Sequence, residues 1–79
     1  METIKISYQG KTFKVQFSRI KAFPNDVFKI DFEENSELIK VMESPVYITE
    51  KPDRLALPEV QNNDQRELLM SFAEGIVQI

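Results

Sequence analysis

The chain has 79 residues, 42% of them hydrophobic and 29% charged, with a net charge of −3 and neither cysteine nor histidine. Those absences exclude a disulfide framework, thiolate chemistry, the commonest general base and the usual transition-metal ligands. Carboxylates, lysines, serines and two tyrosines remain for any chemistry, so no enzyme, cofactor or metal is expected.

The length is that of a single small domain spanning residues 1–79. At that size, burial of roughly 60% of the unfolded surface leaves a few kcal/mol of net stability, and a partner chain would help. No apolar run follows a basic start and no segment approaches 18 apolar residues, so neither a signal peptide nor a membrane span is expected and a cytoplasmic location is the default.

In chain order, Ile4, Ile6 and Tyr8 alternate with polar residues, as do Phe13, Val15 and Phe17. These are two half-buried strands. A Gly10-Lys11 loop of type II′ places glycine where positive φ is required and sets Tyr8 opposite Phe13 and Ile6 opposite Val15. A Gln9-Gly10 loop keeps the same faces but sets Lys5 opposite Lys14, a like-charge pair that costs a few tenths of a kcal/mol. The first register is therefore expected.

Pro24, Asn25 and Asp26 form a turn into the segment Phe28 to Phe32, where Phe28, Ile30 and Phe32 alternate with Lys29 and Asp31. This is expected as the central strand, with Phe17 beside Ile30; sliding by two to put Phe17 beside Phe28 also keeps the face apolar. A turn at Asn35-Ser36 is expected to lead into a fourth strand, Leu38 to Glu43, and Ser44-Pro45 into a fifth, Val46 to Thr49, with Ile48 beside Val41. Leu55 to Pro58 reads as irregular.

Asp64 with Glu67 three residues on resembles a capping box, and Leu68, Leu69, Phe72, Ala73 and Ile76 recur at helical spacing. Gly75 is expected just past the helix end, which leaves Ile76 to Ile79 outside it, packed on the sheet or paired with an edge. Together these segments predict an α+β fold: a five-stranded antiparallel meander with one C-terminal helix packed on one face, in the order βββββα.

Residues 1–30 carry six lysines and arginines against two acids, and residues 31–79 four against eleven. Such asymmetry can mark nucleic-acid binding, here through Lys5, Lys11, Lys14 and Lys21. The registers interleave those cations with acids, however: Lys14 with Glu33, Lys40 with Asp31, Arg19 with Glu2 and Glu43. The aromatics point into the core rather than forming a stacking platform. The run Asp31 to Glu37 has oxygen ligands at alternate positions, but Ser36 stands where a calcium loop needs glycine and Met42 where it needs glutamate. A hairpin turn is the simpler reading.

The functional expectation rests on the outer sheet face. The predicted registers put Met42 beside Tyr47 there, with Val27 diagonal to Met42 and Leu38 two rows away. Apolar residues on both sides of a sheet imply that something covers the second face. The candidates are the Leu55 to Leu57 segment, a second copy of the chain, or another protein. Val27, Leu38, Met42 and Tyr47 are thus the predicted protein-binding residues of a non-enzymatic interaction or accessory domain, with a protein partner or homodimer expected. Nucleic-acid binding and a carboxylate-based enzyme are the alternatives.

Overall fold

The computed structural model describes residues 2–78. Five strands, β1 (Glu2–Tyr8), β2 (Lys11–Ile20), β3 (Val27–Asp31), β4 (Val46–Glu50) and β5 (Leu55–Ala56), form one antiparallel sheet in sequence order. A short helix α1 (Ser36–Ile39) lies between β3 and β4, and a long helix α2 (Asn63–Val77) packs against the sheet. The α+β meander with a C-terminal helix is as expected, and Val46 to Thr49 is a strand as expected, but Leu38 to Glu43 is not one and Leu55–Ala56 makes up the five.

The first hairpin takes the register that the sequence disfavoured. Gln9 (φ 49°) and Gly10 (φ 77°) form the loop, Ile6 faces Phe13, Ile4 faces Val15, and Lys5 faces Lys14. Positive φ at both central residues is the type I′ signature, whose twist matches that of the strands it joins. The like-charge repulsion that results, a few tenths of a kcal/mol between solvated ammonium groups, is too small to choose between two registers that keep the same faces. The register also leaves Lys11 at the end of β2, where its Nζ lies 3.1 Å from a carboxylate oxygen of Glu37.

β2 and β3 pair as expected, Phe17 with Ile30. The fourth strand does not. Leu38 to Glu43 is not extended: α1 begins after Asn35, and the Val41 and Met42 amides both donate to the Leu38 carbonyl. Leu38, Val41 and Met42 recur at i, i+3 and i+4, and this helical spacing prevails over the alternation visible in the same six residues. The segment turns across the end of the sheet and plugs the core there with Leu38, which is fully buried.

β4 therefore pairs directly with β3, Ile48 beside Phe28 and Val46 beside Ile30. Asp31, expected opposite Lys40, instead accepts from the Ser44 hydroxyl and the Glu33 amide, while the Phe32 amide donates to Ser44 Oγ. These bonds tie the two ends of the α1 connection together. Leu55 and Ala56, read as irregular, supply the fifth strand, pairing with Glu50 and Thr49.

The core joins Val15, Phe17, Phe28, Ile30, Phe32 and Ile48 of the sheet side to Leu68, Leu69, Phe72 and Ile76 of α2. The Phe32 and Phe72 rings lie 5.2 Å apart between centroids, Phe17 and Phe28 5.3 Å. Arg19 closes the far end of this face, its guanidinium carbon 4.6 Å from the Phe28 ring centre.

α2 starts at Asn62, not at Asp64: the Asn62 side chain accepts from the Gln65 amide, and the Gln65 side chain accepts from the Gln61 amide. Gly75 is inside the helix rather than its cap. A Cβ there would stand 3.1 Å from Ile6 Cγ2 and 3.4 Å from the Lys5 carbonyl. The glycine lets α2 lie against β1, with Ser71 Oγ donating to the Ser7 carbonyl. Ile76 is buried within the last turn and Val77 is mostly exposed. The segment expected beyond the helix, packed on the sheet or paired with an edge, is thus helix as far as Val77, with Ile76 packed in the core and no edge pairing among the described residues; Ile79 lies outside the described residues.

Candidate interaction surface

The four predicted contact residues separate. Leu38 is in the core, and Met42 packs half-buried against it beside α1, so neither lies on a strand of the outer face. Val27 and Tyr47 do: Val27 faces Thr49 and Tyr47 faces Lys29, which makes the two diagonal neighbours across β3 and β4. Tyr47 is 51% exposed. Met42 still comes near Tyr47, by lining the same cleft at the end of β4.

The observed registers create a row that sequence reasoning missed. Ile20, Val27, Thr49 and Ala56 stand side by side across four strands on the face opposite α2. Ile20 is 42% exposed, and Tyr47 lies in the adjacent row. The loop joining Ile20 to Val27 carries Phe23, whose side chain is 98% exposed. That loop is held by Asp26, which accepts from the Ala22 amide and pairs with Arg19. One signal was legible: Ile20 continues the outward series Lys14, Gln16, Ser18 as an apolar residue. Ala56 was not, because its strand was not recognised.

The Leu55 to Leu57 segment, one of the three candidate covers, does not fold over the outer face. Leu55 and Leu57 pack toward the core, while β5 extends the sheet sideways. Among the described residues no other element packs on the outer face.

Beside Tyr47 the chain forms a cleft of about 550 Å³. One wall is Met42, Glu43, Pro45 and Tyr47, and the other is Pro58, Glu59 and Gln61. Gln65 holds the walls together, since its Nε2 donates to the Val41 carbonyl at 3.0 Å while its Oε1 accepts from the Gln61 amide at 2.9 Å.

The electrostatics differ from the sequence expectation. Arg19 pairs with Glu50 at 2.9 Å and Asp26 at 3.5 Å rather than with Glu2 and Glu43. Its hydrogen bond to Glu50, more than any other influence, holds the guanidinium even further toward the charged form. Lys5 and Lys14 face each other, and among the described residues neither has an acid within 4.0 Å. The Tyr8 hydroxyl has its pKa raised above the usual phenol value, first by burial and then by Asp64 and Glu67.

No group of three acidic side chains converges to hold a metal among the described residues, and the Asp31 to Glu37 stretch is a turn and helix start. No helix among them is long and apolar enough to cross a membrane. The class these features define is a small α+β meander with one open sheet face. Comparison with protein-family models, with curated proteins and with solved structures finds no match to this chain.

Proposed function

We propose that the chain is a non-enzymatic protein-contact domain that works through the outer face of its sheet, and that the occupant of this face is a second copy. The observation that carries the reading is the row Ile20, Val27, Thr49 and Ala56, apolar but for the threonine hydroxyl and flanked by Tyr47 and Phe23, on a face that α2 leaves open. Exposed and half-exposed apolar groups gathered in one patch, with aromatics at its margin, fit a contact surface. A chain this short also gains from association, because its own core supplies little stability to spare.

The test is light scattering across a concentration series with the wild type and an Ile20→Lys, Tyr47→Glu double variant. Wild-type mass should rise toward twice the monomer, and the variant should stay monomeric with its melting transition retained. A wild type that remains monomeric at every concentration overturns self-association. The nucleic-acid alternative has the Lys5–Lys14 pair in its favour, but Lys11 is engaged by Glu37. A steep fall of oligonucleotide affinity with salt would be its mark.

A further inference from the structure

β4 has a second edge, which the outer-face reading does not use. The direction of its backbone groups follows from two bonds: the Glu50 amide donates to the Asp26 carbonyl, toward β3, and the Lys51 amide to the Arg54 carbonyl, toward β5. Backbone groups alternate sides along a strand, so Thr49 and Tyr47 also point away from β3. Thr49 is met by Ala56. Tyr47 in the same register falls opposite Pro58, which has no N–H to donate, and no backbone hydrogen bond joins the two among the described residues. The ladder ends there, and the cleft opens at that point.

We infer that this cleft takes an extended segment of another protein, added as a short strand at Tyr47 and carrying a lysine or arginine next to an apolar side chain. Strand addition uses the free N–H and C=O of an edge for affinity and adjoining pockets for selectivity. Met42, Pro45 and Pro58 supply the apolar lining. The two charged residues on the walls, Glu43 and Glu59, are both acidic and exposed, and neither pairs with a cation among the described residues. Charge complementarity therefore selects a basic segment. Gln65 fixes the spacing of the walls before anything binds, which lowers the ordering cost of association.

The probe is a displayed library of random octapeptides selected on the folded Ile20→Lys variant, whose outer face is disabled. Enriched peptides should carry a basic residue adjacent to an apolar one and should shift the Tyr47 amide resonance. Their affinity should fall about tenfold on Glu43→Gln with Glu59→Gln and about fivefold when the peptide's central amide is N-methylated. The inference is overturned if no sequence enriches, if acidic sequences enrich, or if binding ignores both the glutamine substitutions and the methylated amide. Because the selection uses a variant with a spoiled outer face, its failure does not count against the self-association reading, and a monomeric wild type does not count against the cleft.

Discussion

Ile30 stands on the middle strand, fully buried, with Phe17 on one side and Val46 on the other, in a core shared with Leu68, Leu69 and Phe72. Truncation to alanine removes three carbons from a site hemmed in on all sides, so Ile30→Ala should cost about 2–5 kcal/mol. In a domain of this size that is most of the stability, and chemical denaturation would show it as a sharply lowered midpoint. Tyr8 gives a prediction about pH. Its folded-state pKa is raised from the usual value of 10.0, mainly by burial. Between the unfolded and folded pKa values the native state holds a proton that the unfolded state has released, so stability falls as pH rises in that interval. Stability should be flat just below pH 10 with respect to this group and decline above it. Tyr8→Phe should flatten the alkaline limb; an unchanged decline would assign it to another group.

At the scale of elements, α2 depends on two local devices. Asn62 caps its first turn, and Asn62→Ala should cost about 1 kcal/mol, read by thermal melting. Gly75 is the second device: the approach of α2 to β1 leaves 3.1 Å between the position of a Cβ and Ile6 Cγ2. That methyl sits on a β-branched side chain next to the backbone and has little room to swing away. Gly75→Val should therefore destabilise by about 1–3 kcal/mol through overpacking, despite valine's better helix propensity. A stabilised variant would show that the helix and strand can move apart. α1 illustrates the opposite dependence. Its helical turn has no side-chain cap hydrogen bond, and it is held in place by Leu38 in the core and by Asn35 Nδ2 donating to the Lys14 carbonyl at 3.0 Å.

For the whole molecule, the test residue is Phe23. A phenyl ring 98% exposed to solvent contributes almost nothing to the fold, so Phe23→Ser should stay within about 0.5 kcal/mol of wild type, a shift of roughly 4 °C or less. If the outer face and its adjoining loop form the contact between copies, the same substitution should lower association measured by sedimentation. Equal association with and without the ring would remove the loop from the contact and leave Ile20, Val27 and Tyr47 to carry it.

Alternation of apolar and polar residues was enough to determine β1, β2 and β3 and the faces they present, because a period of two in Ile4 to Tyr8, Phe13 to Phe17 and Phe28 to Phe32 has no competing interpretation. The same local information marked α2, since Leu68, Leu69 and Phe72 lie on one helical stripe. It also marked Tyr47 and Val27 as outward-facing. Three things were decided only in the folded chain. The first hairpin's register was not readable from the Lys5–Lys14 charge pair, because a few tenths of a kcal/mol does not separate two registers that keep the same faces. Leu38 to Glu43 satisfied both periodicities, and the open end of the core, which needed a plug, selected the helical one. Gly75 had the local look of a helix cap, but it is a contact residue: whether a glycine ends a helix or lets it approach a strand depends on what lies across from it, and β1 is about seventy residues away in the chain.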